Sequence, residues 1–221
     1  MEVYFLSKSK RHIQSIGEEI ANAISHGVGS LLSIAGTVIL IVYAAIYSDA
    51  LAVVSAALYG ATLIILYTNS TLYHALTNKT AKKVFRIFDH CSIFMLILGT
   101  YIPVSLSLMR GWIGWTLFSV NTACAVLGIV FNAINLEKFA KFSLVLYVIM
   151  GWSVLLTAIP VFKAILERGV GGLIILALGG VLYTAGIIFY KSDKKYMHFI
   201  WHFFVLAGSI LHYFFVLFYC I

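Results

Sequence analysis

The sequence predicts an all-α, polytopic membrane protein with seven transmembrane helices. Of its 221 residues, 62% are hydrophobic and only 10% are charged, whereas a soluble domain is about 45–50% apolar and about 25% charged. A helix needs about 20 apolar residues to cross a hydrocarbon core about 30 Å thick. Seven such runs use nearly the whole chain. This predicts one transmembrane domain over residues 1–221, with a short cytoplasmic N-terminal segment at 1–18.

The seven predicted spans are long apolar runs separated by polar or glycine-containing breaks. The two shortest breaks, around Asp49 and Gly111, are interpreted as tight turns, because fusing their neighbours would give a helix more than twice the bilayer thickness. Pro103 and Pro160 each fall near the end of a span, where a kink disturbs few hydrogen bonds. The predicted spans are 20–47, 51–73, 88–108, 112–134, 142–162, 171–190 and 197–220.

The distribution of basic residues predicts the orientation. Lysine and arginine in short loops stay on the cytoplasmic side during insertion. Of the 15 basic residues, 12 fall on the side of the N-terminus, and only Arg110, Lys163 and Arg168 fall on the other. The sequence therefore predicts an inside N-terminus and, with an odd number of spans, an outside C-terminus. The expected location is a cytoplasmic (plasma) membrane.

The net charge and the cysteines indicate no further partner or cofactor. A net charge of +7 is typical of nucleic-acid-binding proteins only where the basic residues share a polar surface. Here they lie in short connections, so no nucleic acid is expected. Cys91, Cys124 and Cys220 lie in different apolar runs without C-x-x-C spacing, which favours a packing role. No protein partner can be inferred.

The polar residues within the predicted spans lie at one end of them. An ionisable side chain at the bilayer centre costs at least about 2.5–3.5 kcal/mol, so such residues are candidates for function. The predicted topology places the polar residues of spans 1, 2, 3 and 7 at the cytoplasmic end. They are Glu19, Asn22, Ser25, His26, Ser70, His74, Asp89, His90, His198 and His202. The neighbouring Glu18 is expected to be solvated.

Three of these histidines have the spacing and depth of metal ligands. His198 and His202 are four residues apart, so on a helix their rings share a face, about 6 Å apart along the axis. His74 lies five residues before the basic stretch 79–86, and His198 lies three after Lys195, which predicts one common depth. Three imidazoles with an open fourth position are typical of catalytic zinc. The alternative is a set of ordinary hydrogen-bonding histidines.

Ser70 and Asp89 are the predicted catalytic residues beside this site. Ser70 is four residues before His74, on the same helix face, and Asp89 follows His74 across a connection. A carboxylate there can hold a water on the metal or accept its proton. The alternative for Asp89 is a helix-start acid favoured by the helix dipole, with Arg86 as its ion partner.

Two groups of polar residues lie further from the predicted ligands. Glu19, Asn22 and His26 occupy positions i, i+3 and i+7, on one face of the first span. His212 is ten residues beyond His202, hence about 15 Å deeper, which is too far to bind the same ion. It is either a neutral histidine bonded to a neighbouring helix or a residue that lines an internal cavity.

These residues resemble the hemolysin III family, the bacterial branch of the progestin and adipoQ receptor superfamily, which is related to adiponectin receptors and alkaline ceramidases. The motifs that carry the resemblance span nearly the whole chain. They are Glu19-x-x-Asn22-x-x-Ser25-His26, Ser70-x-x-x-His74, Asp89, and His198-x-x-x-His202 with His212. The resemblance implies seven helices, an inside N-terminus and Zn²⁺ held by the three histidines, with Asp89 linked to the metal through water and Ser70 nearby.

Three kinds of function agree with these residues. The first is a zinc-dependent hydrolase of a lipid amide or ester bond, as in ceramidase-like relatives, in which the metal lowers the pKa of a bound water to about 7. The second is a non-enzymatic sensor or regulator of membrane state with structural zinc. The third is a pore-forming hemolysin, which is disfavoured because a pore should place polar residues along several spans.

Overall fold

The computed structural model describes residues 14–221, and the predicted all-α class is confirmed within them, since no strand occurs in this part of the chain. The described residues form six elements that are long and apolar enough to cross a membrane. They are Ile16–Tyr47, Ala50–Ala75, Lys79–Leu108, Trp112–Arg168, Val170–Tyr190 and Met197–Cys220. The predicted spans 112–134 and 142–162 both fall in the fourth element. Most of the N-terminal segment predicted at 1–18 lies outside the described residues.

The α-helices are numbered in chain order. They are α1 (Ile16–Tyr47), α2 (Ala50–Ala75), α3 (Lys79–Pro103), α4 (Trp112–Gly151), α5 (Ala158–Arg168), α6 (Val170–Tyr190) and α7 (Met197–Phe215). Five-residue π-helical turns at Val104–Leu108 and Val216–Cys220 extend α3 and α7, and a 3-10 turn at Ser153–Thr157 joins α4 to α5. α2 packs between α1 and α3, α3 also packs against α4, and α6 packs against α7.

Glu18 fixes the start of α1 and ties it to the start of α7. Its carboxylate accepts hydrogen bonds from the backbone N–H and hydroxyl of Ser15, both at 2.8 Å, which forms a capping box. The other carboxylate oxygen accepts the backbone N–H of Tyr196 at 2.7 Å, one residue before α7 begins. The expectation that Glu18 is solvated is wrong, because only 3% of the residue is exposed.

The third span begins earlier than predicted. The basic stretch 79–86, interpreted as a loop, forms the first turns of α3. The reason is a helix cap: the side-chain oxygen of Asn78 accepts hydrogen bonds from the backbone N–H groups of Thr80 and Ala81, both at 3.0 Å. The basic side chains therefore project from an ordered helix, close to the polar end of α2.

The chain reverses direction within α4. Asn135 has φ −162° and ψ 94°, which is not a helical conformation. The side-chain nitrogen of Asn121 donates to the hydroxyl of Ser153 at 2.9 Å, although the 32 residues between them would span about 48 Å in a continuous helix. The segments before and after Asn135 therefore pack side by side, and the reversal lies at the boundary predicted between the fourth and fifth spans.

Candidate metal centre

Three histidines from two helices converge at one end of the bundle. His74 lies in the last turn of α2, and His198 and His202 lie in the first two turns of α7. One ring nitrogen of each lies within 4.8 Å of the other two. The ring centroids are 5.2 Å apart for His74 and His198, 5.1 Å for His74 and His202, and 4.8 Å for His198 and His202. The three rings thus surround one point.

Hydrogen bonds fix which nitrogen of two rings faces that point. Nδ1 of His74 lies 2.7 Å from a carboxylate oxygen of Glu19, which can only accept, so Nδ1 carries the proton and Nε2 has the lone pair. Nδ1 of His202 lies 3.0 Å from the hydroxyl of Ser25. That hydroxyl donates its one proton to the carbonyl of Asn22 at 2.9 Å, so His202 also donates from Nδ1 and keeps its lone pair on Nε2.

The donor set fits a metal ion. Nε2 of His74 is buried and has no hydrogen-bond partner among the described residues, and such an unsatisfied nitrogen costs free energy. An ion between the three rings would supply the missing partner. Metal-binding histidines almost always donate their other ring N–H to a carboxylate or another oxygen, as His74 and His202 do here. Neutral imidazole nitrogens suit zinc, copper, iron and nickel.

Ser70 and Asp89 lie beside the histidines. Both line a cavity of about 30 Å³ together with His198 and His202. A polar cavity of this size holds one water. Ser70 is buried with 1% exposure and Asp89 with 9%. Neither belongs to the group of three possible ligands among the described residues, so their predicted catalytic roles depend on what occupies this cavity.

The alternative interpretation of Asp89, as a helix-start acid, is wrong. The helix dipole acts within the first turn, whereas Asp89 is ten residues beyond Lys79, where α3 begins. Arg86, the expected ion partner, instead approaches Glu137 at 3.4 Å. Within 14–221, the ionisable partner of Asp89 is His90, whose Nδ1 lies 3.6 Å from the carboxylate. Asp89 is therefore a carboxylate held well inside a helix, against the histidine cavity.

His26 adds a fourth ring to the cluster. It stacks on His202 with ring centroids 3.5 Å apart and ring planes 9° apart. It also makes an edge-to-face contact with Tyr67, in which the ring centroids are 5.0 Å apart. His26 lines the 30 Å³ cavity. Both of its ring nitrogens are buried and lack a hydrogen-bond partner within 14–221. The cavity therefore has an imidazole available to whatever enters it.

A larger, apolar cavity adjoins the polar one. Its volume is about 310 Å³, and its walls come from α2, α3, α4, α5, α6 and α7. The same residues separate and line the two cavities at the histidine end. They are Leu66, Ile93, Tyr190, Trp201 and Val205. A long apolar molecule in the large cavity would therefore have one end next to the small cavity that the histidines line.

His212 lies at a distance from the cluster and lines this large cavity. Its Nε2 is 3.2 Å from the carbonyl oxygen of Leu176 in α6. His212 therefore has both of the features that the sequence analysis gave as alternatives. Its ring is hydrogen-bonded to a neighbouring helix, and it also lines a cavity.

Comparison with known proteins decides the family. The profile of the family described as "Haemolysin-III related" matches residues 14–213. The chain belongs to the haemolysin-III related family. It is 41% identical to Hemolysin-3 of Bacillus cereus over 213 residues, covering 96% of each chain. It is 42% identical to the Hemolysin-3 homolog of Bacillus subtilis (strain 168) over 208 residues, covering 94% of this chain and 96% of the relative.

A more distant relative is the Monocyte to macrophage differentiation factor of Homo sapiens, 27% identical over 208 residues that cover 89% of this chain and 82% of the relative. The resemblance inferred from the motifs is thus confirmed. Together with the six apolar helices of the described residues, the family membership makes this haemolysin-III related chain a multi-pass membrane protein.

In this haemolysin-III related protein, the sequence did not indicate which residues hold the histidines. Ser70 was expected to support His74, but Glu19 and Ser25 of α1 make the hydrogen bonds to the rings. From the sequence, Lys82 indicates only the orientation in the membrane. In the structure its ammonium is 2.9 Å from a carboxylate oxygen of Glu19 and 3.4 Å from the backbone carbonyl of His74. The sequence does place Glu19 on one helix face with Asn22 and His26, which indicates that α1 contributes to the polar cluster. It contains no comparable pattern for Lys82.

Proposed function

We propose that this protein is a zinc-dependent hydrolase of an amide or ester bond in a membrane lipid, located in the bacterial plasma membrane. The observation that carries the proposal is the contact between the two cavities. The large one, of about 310 Å³, is apolar and is suited to an acyl chain. The small one is lined by His26, Ser70, Asp89, His198 and His202. A lipid whose chain occupies the first would place its carbonyl group in the second.

His74, His198 and His202 would hold the metal. Three protein ligands leave one position open, which is the arrangement of catalytic zinc, whereas structural zinc usually has four protein ligands. When bound, zinc would supply Lewis acidity that polarises a carbonyl and acidifies water.

The residues of the chain have separate tasks in this proposal. Glu19 and Ser25 keep the rings of His74 and His202 in the tautomer whose Nε2 faces the centre. The ammonium of Lys82, 2.9 Å from Glu19, keeps that carboxylate charged and in place.

Asp89 would accept the proton of the attacking water on its carboxylate and return it to the leaving group, as a general base and then a general acid. The hydroxyl of Ser70, in the same cavity wall, would orient the water or the carbonyl oxygen. Because the cavity is small and mostly enclosed by buried side chains, it would keep other water molecules from the reacting bond.

The proposal includes seven crossings with the histidines at the cytoplasmic side. The fourth membrane-capable element has 57 residues, about 85 Å as a straight helix, which is nearly three times the hydrocarbon thickness. The reversal at Asn135 supports two crossings within it. Of the 12 lysine and arginine residues within 14–221, nine lie in connections or helix ends at the histidine side and three at the other, which favours an inside location for the histidines.

The test is hydrolysis by purified, zinc-loaded protein. Wild type, His202→Ala, Asp89→Asn and Phe203→Ala are incubated with mixed phospholipids and ceramides, and released fatty acids are measured by mass spectrometry together with the zinc content. Phe203 is the matched control, because it neighbours His202 in α7 and is 52% exposed.

We expect His202→Ala to lose both zinc and hydrolysis, Asp89→Asn to keep zinc but lose hydrolysis, and Phe203→Ala to keep both. Zinc loss in His202→Ala without any change in hydrolysis would contradict the proposal. Zinc-loaded wild type that turns over no lipid would instead favour the non-enzymatic regulator with structural zinc.

A further inference from the structure

Polar groups that the proposed reaction does not use lie at and behind the wall of the large cavity. Tyr67, Ser209 and Tyr183 form a connected set of hydroxyls, with Tyr67 donating to Ser209 at 2.7 Å and the oxygens of Ser209 and Tyr183 2.6 Å apart. Tyr183 and His212 both line the cavity, and their ring centroids are 5.4 Å apart. These groups lie among apolar walls, where a polar group without a partner costs free energy.

The three hydroxyls have one more proton than they have hydrogen bonds. Since Tyr67 donates to Ser209, the second bond uses the proton of either Ser209 or Tyr183. If Tyr183 donated, the buried Ser209 would keep a proton with no acceptor among the described residues. Donation from Ser209 instead leaves the unpaired proton on Tyr183, where a molecule in the cavity can accept it. Because Tyr183 lines the cavity, the set offers a hydrogen-bond donor there.

His212 offers the complementary acceptor. Its Nε2 must donate to the carbonyl of Leu176, 3.2 Å away, because a carbonyl has no proton to give. The neutral ring therefore carries a lone pair on Nδ1, to which no residue of 14–221 donates. The Cδ2 and Nε2 edge is covered by α6, since a Cβ added at Gly179 would lie 2.3 Å and 2.5 Å from these two atoms. The edge that bears Nδ1 is turned away from Gly179.

We propose that Tyr183 and His212 form a subsite for a hydroxyl group on the chain of the bound lipid. A hydroxyl donates and accepts at once, so it can donate to Nδ1 of His212 while it accepts from Tyr183. A plain methylene chain would leave both groups without partners. The inference rests on the proposed function, because it requires a lipid chain in this cavity with its carbonyl at the histidines.

The position of the hydroxyl follows from α7. His212 is ten residues beyond His202, a rise of about 15 Å along the helix. Because an extended chain zigzags, each carbon–carbon bond of about 1.5 Å advances less than its own length, and about 12 bonds cover this rise. The preferred ligand is therefore a long-chain acid or acyl group with a hydroxyl near the middle of its chain. A hydroxyl next to the carbonyl would not reach the subsite.

The experiment compares three probes: octadecanoic acid, 12-hydroxyoctadecanoic acid and 2-hydroxyoctadecanoic acid. Each displaces a fluorescent fatty acid from the purified full chain in detergent. We expect wild type to bind the 12-hydroxy acid about tenfold more tightly than the plain acid, as two buried hydrogen bonds of ordinary net strength allow. The 2-hydroxy acid should show no such preference.

Tyr183→Phe and His212→Phe should each reduce this preference to about twofold or less while the plain acid still binds, which shows that the variants are folded. Tyr101→Phe is the matched control, because Tyr101 lines the same cavity but its hydroxyl already donates to Gly151 at 2.9 Å and accepts from Val154 at 3.0 Å. It should keep the preference.

Equal binding of all three acids by wild type would overturn the subsite and leave the proposed hydrolase intact, with water as the partner of Tyr183 and His212. Failure of every acid to bind would count against both, because it would remove the lipid from the cavity.

Discussion

Replacing Glu19 tests how α1 supports the metal centre. The bond from Nδ1 of His74 to Glu19 is short, at 2.7 Å, and its acceptor is charged. A hydrogen bond to a charged group contributes about 1.5–3 kcal/mol, which corresponds to about 10- to 100-fold in an equilibrium constant. The same range is typical when a partner of a metal-binding histidine is removed. We therefore expect Glu19→Ala to weaken zinc binding about 10- to 100-fold.

Ser25→Ala provides the internal comparison, because Ser25 is a neutral acceptor 3.0 Å from Nδ1 of His202. A neutral hydrogen bond contributes about 0.5–1.5 kcal/mol, so the expected weakening is about 2- to 10-fold. Glu167→Ala is the control, since this exposed glutamate lies in α5, outside the candidate site. The assay is competition for zinc with a chromogenic chelator in detergent. Unchanged zinc affinity in Glu19→Ala, or a larger loss in Ser25→Ala, would show that the charged hydrogen bond between His74 and Glu19 does not support metal binding.

Three further predictions concern the fold and the membrane. Glu18→Ala removes the carboxylate that accepts hydrogen bonds from the backbone N–H and hydroxyl of Ser15 and from the backbone N–H of Tyr196, so it should lower the free energy of unfolding by about 1–3 kcal/mol; an unchanged melting temperature would contradict this. The pKa of Asp49 is lowered by the backbone N–H of Ala52 and by the ion pair with Arg110. Its charged form therefore stabilises the fold at neutral pH, and that stability is lost as the pH falls below the ordinary value of 3.8. Asp49→Asn should consequently melt below wild type at pH 7, with the difference shrinking in acid; a difference that grows in acid would show the opposite sign. Finally, liposomes that contain the purified protein should retain an entrapped dye as well as protein-free liposomes, because the charged and histidine side chains within the spans, apart from His212, gather at one end of the helices rather than along a channel, and rapid leakage would revive the pore-forming alternative.

The depth of the histidines could be predicted from the sequence because it depends on local patterns. The four-residue spacing of His198 and His202 fixes a common face on any helix. The basic residues that flank the apolar runs fix the level of His74 relative to that pair. Neither pattern depends on how the helices are arranged in the plane of the membrane.

The supporting contacts could not be predicted, because they depend on that arrangement. Whether Glu19 or Ser70 bonds to His74 is decided by the register between α1 and α2, which periodicity does not give. Glu18 looked like a solvated residue at a helix start, and only the approach of the Tyr196 backbone makes its burial favourable. The lysines of the stretch 79–86 belong to α3 because Asn78 caps the helix before them, which their charge alone does not indicate.

The proposed function requires one metal ion held by His74, His198 and His202. Elemental analysis of the purified wild-type protein and of His202→Ala measures this without any assumption about a substrate. We expect about one zinc per wild-type chain and little or none in His202→Ala. Wild-type protein without stoichiometric metal, or equal metal in both proteins, would contradict the central claim.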